Sequence, residues 1–229
     1  MIHPVEIPRW KRILDVIFIL LIAPFVLPVA ITVAVAIRLV SPGPVLFRQE
    51  RVGFMGQKFM CLKFRTMFVG AETKSHQGYL EHLMKSDVPM VKLDARRDSR
   101  IIPFGSLFRM SGLDELPQLI NVLRGEMSLV GPRPCLAYEC ENYLPWQRER
   151  FNTLPGLTGL WQVSGKNETT FAEMMQLDIT YAKEKTLWMD LMIILKTIPA
   201  ILVQIWHTRK RKKALSLTAR SPQSYQSNL

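Results

Sequence analysis

Residues 16–37 contain no charged side chain over 22 consecutive positions. As a helix this run measures about 33 Å, enough to cross the hydrocarbon core of a bilayer. Pro24 and Pro28 stand near its middle. Each removes an amide donor and crowds the carbonyl four residues back, so the predicted helix bends there. Arg9, Lys11 and Arg12 precede the run, and Arg38, Arg48 and Arg51 follow it. Basic flanks favour the cytoplasmic side, so both ends ask for the same side. A helix that enters and leaves through one leaflet meets both observations; a kinked single span is the alternative. A cleaved secretory leader fits poorly, because the run is long and no small-residue cleavage site follows it.

Beyond the run, Pro42-Gly43-Pro44 predicts a sharp turn. Residues 45–47 and 59–64 read as short strands, with Gly53 and Gly56 at a hairpin turn. Apolar spacing at Tyr79, Leu80, Leu83 and Met84 predicts a helix over 71–85, and the polar stretch 86–100 reads as a mobile loop over a site. Further helices are predicted at 116–123, stopped at Gly125, at 146–152, ended by Pro155-Gly156, and at 171–183. Residues 187–206 are strongly apolar and read as an interfacial or a core helix; Trp188 and Trp206 suit the headgroup region. There is no internal repeat. The pattern is α+β and mostly helical: a re-entrant membrane helix with its basic flank at 1–40, a body with a small β-hairpin at 41–206, and a basic tail at 207–229. The polar residues from 216 onward predict disorder in that tail.

Charge sharpens this picture. The net charge is +11 and the pI about 9.8. Such an excess calls for anionic partners: nucleic acid, anionic lipid or a phosphorylated substrate. Arg209, Lys210, Arg211, Lys212 and Lys213 form a cluster that would gain about 1 kcal/mol per residue at an anionic membrane; a solvated tail is the alternative. No nucleic-acid motif or aromatic platform accompanies the basic residues, so nucleic acid is not the expected partner. Cys61, Cys135 and Cys140 have no metal-ligand spacing, and three cysteines do not make a disulfide scaffold, which fits a reducing compartment. His3, His76, His82 and His207 fall in the tails or the expected loop, which leaves no Ser-His-Asp set, and no glycine-rich phosphate loop is present.

The focal acidic pair is Asp114-Glu115. Ser111, three residues earlier, offers a cap, and Pro117 is tolerated only near a helix start. Asp114 is therefore expected at a first helical turn, where partial positive charge favours a carboxylate and a phosphate. Lys63, Arg65, Arg100, Arg109, Arg124 and Arg133 bracket the pair in sequence. Arg133 lies in Gly131-Pro132-Arg133-Pro134, where two prolines fix the backbone around one guanidinium and suit it to bidentate phosphate binding. Pairing of these arginines with Asp98, Glu126 or Glu139 is the competing reading.

These residues resemble a family. Arg109, Leu113-Asp114-Glu115-Leu116-Pro117-Gln118 and the stretch from Asn121 through Arg124-Gly125-Glu126-Met127-Ser128-Leu129-Val130 to Gly131-Pro132-Arg133-Pro134 are similar to the signature of the bacterial sugar transferases, the monotopic polyprenyl-phosphate phosphoglycosyl transferases. Lys63-Phe64-Arg65-Thr66-Met67, Pro155-Gly156-Leu157-Thr158-Gly159, Trp161-Gln162, Asp178 and Tyr181 extend the resemblance over about residues 9–206. The resemblance implies a membrane enzyme of the cytoplasmic face that moves a sugar-1-phosphate from a UDP-sugar to a polyprenyl phosphate, with Mg2+ as cofactor. It implies Asp114 as nucleophile and Glu115 as metal-binding carboxylate. The charges themselves then put Arg109 and Arg133 first for the phosphates, with Lys63 and Arg65 after them, and the helix chemistry puts Pro24 and Pro28 at the hinge. Assembly with further copies is left open. A non-catalytic membrane scaffold of the same fold is the rival reading. The chain departs from the family pattern at Ala23, Met110, Gly112 and Lys166, where serine, a basic residue, serine and arginine are usual. The first of these leaves the bend to the prolines alone.

Overall fold

The computed structural model describes residues 6–70, 98–165 and 169–218, with Gly78, Leu83, Met84, Ser86, Val88 and Pro89 between them. The helix expected at 71–85, the loop at 86–100, Lys166 and the end of the tail lie wholly or mostly outside the described residues.

The first helix, α1 (Arg9–Val40), is 32 residues long and contains both prolines. Among the described residues it alone is long and apolar enough to cross a membrane. Its two ends are buried and its middle is not. Lys11, Asp15 and Ile19 are buried at one end, Val33 and Ile37 at the other, each set spaced four apart on one helical face. Between them Leu20, Leu21, Phe25, Leu27 and Ile31 are exposed, Phe25 by 77%.

A hairpin follows. Strands β1 (Leu46–Val52) and β2 (Lys58–Phe64) pair antiparallel, from Leu46 opposite Phe64 to Val52 opposite Lys58. The first strand is longer than the apolar residues alone indicated, because Arg48, Gln49, Glu50 and Arg51 continue it. The turn is a 3₁₀ segment, Phe54–Gly56, in which Met55 and Gly56 take positive φ.

The chain then forms α2 (Gly105–Ser111), a 3₁₀ turn (Leu113–Glu115) and α3 (Gln118–Arg124). After them come β3 (Ser128–Val130), α4 (Ala137–Glu141), a 3₁₀ helix (Pro145–Asn152), β4 (Gly156–Thr158) and α5 (Leu160–Val163). The last two helices are α6 (Phe171–Glu184) and α7 (Leu187–Thr218). Strands β3 and β4 make a second, parallel pair. The segment expected to be helical at 146–152 is the 3₁₀ helix, opened by Pro145. Helix α6 is capped as a box: the Thr170 hydroxyl accepts from Glu173 N at 3.2 Å while the Glu173 carboxylate accepts from Thr170 N at 2.7 Å. Helix α7 continues to Thr218, so the expected boundary at residue 206 falls inside it; no Gly or Pro interrupts the basic stretch, and Lys and Arg are good helix formers.

The fold is mostly helical with two small sheets, and three apolar clusters hold it. One gathers Ile19 of α1, Cys61 of β2, Val122 of α3, Tyr181 of α6 and Ile193 of α7. A second joins Val52 and Cys135 to Trp161, Phe171 and Met175. The third seats Val33 and Ile37 on Phe64, Ile102 and Phe108. Helix α7 divides by face: Asp190 and Ile193 are buried, whereas Trp188, Leu195, Ile198, Leu202 and Trp206 are exposed. The outer face of α7 is therefore an exposed apolar surface.

Charges also tie α1 to the body. Lys11 Nζ donates at 2.7 Å to the Val130 carbonyl, to Tyr181 Oη and to Asp190 Oδ2, with no exposure of either charged side chain. Tyr181 Oη in turn bonds Asp190 Oδ1 at 2.6 Å. Asp15 Oδ1 accepts from Ser128 Oγ at 3.0 Å and Leu129 N at 2.9 Å. The Arg12 guanidinium donates to the carbonyls of Val122 and Leu123 at the end of α3. Such contacts satisfy helix-end acceptors and set a cation at the negative end.

Candidate active site

The acidic pair is positioned by one asparagine. Asn121 of α3 is completely buried. Its Oδ1 accepts from Leu62 N at 3.0 Å, and its Nδ2 donates to the Met60 carbonyl at 2.8 Å and to Glu126 Oε2 at 2.6 Å. The side chain imitates a strand neighbour and locks α3 beside β2. The turn before α3 then lies against the end of β2, where Lys63 Nζ meets Glu115 Oε1 at 2.8 Å. Two residues predicted for the site, 52 positions apart in sequence, are thus in contact. The pair is 20% and 31% exposed, so it is accessible and its net contribution to stability is small.

Asp114 differs from expectation in its local setting. It lies in the 3₁₀ turn, and α3 begins only at Gln118, with Pro117 as the flanking residue. Helix α3 is seven residues long, so its dipole offers little. The Ser111 hydroxyl does not cap this turn: it donates back to the carbonyls of Leu107 at 2.8 Å and Phe108 at 3.2 Å. Gly112, φ +75°, reverses the chain between α2 and the turn. A left-handed φ is strained for serine and easy for glycine, so Gly112 suits this turn.

Arg133 is presented by a loop clamped from two sides. Val130, Gly131 and Pro132 run against the chain entering and forming β4: Gly131 N donates to Thr158 O at 2.9 Å and Gly156 N to Pro132 O at 2.8 Å. A Cβ on Gly131 or on Gly156 would collide with backbone of the other segment, so both positions require glycine for close approach. Arg150 Nη2 holds the Arg133 carbonyl at 2.7 Å and Asp178 Oδ2 at 2.6 Å, both arginine and aspartate being buried. Burial raises the Asp178 carboxyl to about 6 against the pull of Arg150. On the other side Arg51 Nη1 holds the Pro134 carbonyl at 3.1 Å.

Cys61 marks how these groups converge. Burial pushes its thiol up, and the charges of Lys63, Arg51, Glu115 and Arg133 all act on it. Lys63 and Glu115 are in direct contact, and Arg133 is within electrostatic range of the same strand. Arg109 is near enough to Asp98 to help Arg100 hold that carboxyl down at about 2. The Arg100 guanidinium bonds Asp98 at 2.8 Å, as the competing reading of the arginines foresaw for that residue. Arg65, expected at the phosphates, has a different setting: Nε donates to Pro44 O at 2.6 Å, Nη1 to Ser41 Oγ at 2.8 Å and Nη2 to Ser41 O at 3.0 Å. Its guanidinium is occupied in fixing the turn that leaves α1.

No three metal-ligating side chains gather among the described residues. Two adjacent carboxylates, Asp114 and a partly exposed Glu115, nevertheless fit Mg2+, which is ordinarily held by one or two carboxylates together with substrate phosphates rather than by a protein cage.

A sequence model of the bacterial sugar transferase family matches residues 7–204. The chain is 41% identical over 200 residues to the UDP-glucose:undecaprenyl-phosphate glucose-1-phosphate transferase of Caulobacter vibrioides, across 84% of this chain and 69% of that protein. It is 39% identical over 198 residues to the UDP-galactose-lipid carrier transferase of Erwinia amylovora, of which it spans 40%. It is 36% identical over 191 residues to the exopolysaccharide production protein ExoY of Sinorhizobium fredii, across 83% of this chain and 84% of that protein.

Proposed function

The chain belongs to the bacterial sugar transferase family and is a transferase, and on that premise we propose that it moves a sugar-1-phosphate from a UDP-sugar to undecaprenyl phosphate in two displacements. An Asp114 carboxylate oxygen bonds to the β-phosphorus of the donor. The bond from that phosphorus to the bridging oxygen breaks, and UMP departs with the electron pair. A phosphate oxygen of the lipid then attacks the same phosphorus, the bond to Asp114 breaks, and the carboxylate is restored. The products are UMP and a polyprenyl diphosphate sugar, the first lipid-linked unit of an exopolysaccharide or similar glycan.

The observation that carries this reading is the Asp114-Glu115 turn set against Lys63, whose Nζ holds Glu115 Oε1 at 2.8 Å. A carboxylate approaching a diphosphate meets repulsion of about 4 kcal/mol per unit charge pair at 4 Å and an effective dielectric of 20. Lys63, Arg133 and Arg109 oppose that repulsion and orient the phosphates. Arg65 is left out of that set because its guanidinium is buried and holds Ser41 and Pro44. Mg2+ held by Glu115 and Asp114 together with the donor would supply further charge neutralisation. Covalent relay suits a site that serves a soluble donor and a lipid acceptor in turn.

Two features support a site at the cytoplasmic face of the inner membrane. The exposed apolar middle of α1 and the outer face of α7 need a nonpolar surround. Along a straight helix Ile19 and Ile37 would be about 27 Å apart, yet their clusters meet β2 at Cys61 and Phe64, about 10 Å apart on one strand. That convergence supports a bend at Pro24 and Pro28 and a re-entrant course. Cysteines replacing Glu6 and Pro42, in a background without the native cysteines, should both react with an impermeant thiol reagent in inverted vesicles and neither in intact cells. Labelling from opposite sides would defeat re-entry.

The activity is tested by UMP release from a panel of UDP-sugars in the presence of undecaprenyl phosphate. At least one donor should give UMP together with a lipid-linked sugar. Silence across the panel, from folded protein with Mg2+ present, would favour the scaffold reading.

A further inference from the structure

Two buried arginines clamp the Arg133 loop, and only one is neutralised. Arg150 holds the Arg133 carbonyl and carries Asp178 as its counterion. Arg51 holds the next carbonyl, that of Pro134, and is 6% exposed. Its Nη2 bonds the neutral amide oxygen of Gln49 at 2.8 Å, and its Nε has no hydrogen-bond partner. Among the described residues no carboxylate forms an ion pair with it. Glu139 acts on it from a distance, and the Glu139 carboxylate accepts only a long bond, 3.4 Å, from Tyr143 Oη. Burying a guanidinium without a counterion is costly, so a methionine in its place would recover that cost while giving up two hydrogen bonds to neutral acceptors. Strand β1 is otherwise held by its ladder and by the Val52 N bond to Cys135 O at 2.9 Å, so the loop does not depend on this cation for its attachment.

Resting on the functional reading above, we propose that Arg51 is a positioning residue for the donor diphosphate: it fixes the Pro134 carbonyl and turns its unbalanced charge on Arg133, holding that guanidinium toward the anion. Arg133 lies near enough to destabilise the charge on Arg51, and the two cations repel. The repulsion is relieved when a diphosphate binds Arg133. Cost in the empty site becomes affinity in the filled one, a form of preorganisation.

The test is UDP affinity with Mg2+, measured by calorimetry on the full chain in detergent, with melting temperature alongside. Arg51→Met should weaken UDP binding about tenfold, the loss expected on removing one charge-assisted interaction, with a melting temperature close to that of the parent, because the lost hydrogen bonds are offset by the removed buried charge. Arg51→Lys, which keeps the charge and reaches the same carbonyl, should recover most of the affinity. In an Arg133→Ala background, Arg51→Met should add little. A purely structural role would lower melting and give no rescue by lysine. The proposal is overturned if Arg51→Met leaves the UDP affinity of a folded protein unchanged, if lysine and methionine behave alike, or if the full loss persists without Arg133. A parent protein that binds UDP but releases no UMP from any donor defeats the catalytic reading while leaving the Arg51 comparison intact; one that does not bind UDP defeats both.

Discussion

Replacing Asp114 with asparagine should abolish turnover, by on the order of 10⁶-fold if the residue is the nucleophile. The amide has the shape of the carboxylate but is neutral and a poor attacking group. Asp114 is only partly buried in its 3₁₀ turn, and Asn121 fixes α3, so the variant should still fold, as its melting temperature will show. The decisive measurement omits the lipid acceptor. Protein incubated with a UDP-sugar alone should gain the mass of one sugar-phosphate on the peptide containing Asp114, with one UMP released per chain. The Asp114→Asn protein should gain nothing. An adduct on any other residue, or turnover within tenfold of the parent in the variant, would end the assignment.

The second large effect is on stability. Lys11→Met should destabilise the protein by about 3–5 kcal/mol, the usual result when one member of a buried ion pair is removed. Methionine fills the volume, so the loss is electrostatic: three hydrogen bonds vanish, and Asp190 is left buried beside Asp15 with no cation between them. Domains are commonly stable by only about 5–15 kcal/mol, so the change should be visible as a large drop in melting temperature. Pairing Lys11→Met with Asp190→Leu should recover part of it. The surface pair of Lys183 and Glu149 is a control: it is shorter, 2.6 Å, but its side chains are 63% and 42% exposed, and Lys183→Met should have little effect. Equal melting of the Lys11 and Lys183 variants would show that the buried network contributes no specific stability.

What could be read from the sequence follows from how local each determinant is. The long helix was legible from its uncharged run, the hairpin from its two glycines, and α6 from apolar spacing. The acidic pair stood out because proline, glycine and arginine surround it in a fixed pattern. Three-residue strands carry no periodicity, so β3 and β4 were invisible, although Gly131 and Gly156 that permit their approach were both in view. Asp15 lies one position outside the charge-free run and was passed over; a Lys and an Asp four apart at the edge of an apolar helix are a signal for a buried network. Arg51 read as a basic flank and Arg65 as a phosphate ligand, because composition does not say where a guanidinium points. Contacts with Pro134 and Ser41 decide that, and both come from the folded chain.

The Lys11–Asp190 pair closes a loop of 179 residues. At roughly 5–20 residues per second, a ribosome needs about 10–40 s to travel between the two codons. Throughout that interval the ammonium group of Lys11 lacks its carboxylate partner, so the amino-terminal arm reaches its final seat only after Asp190 has been made.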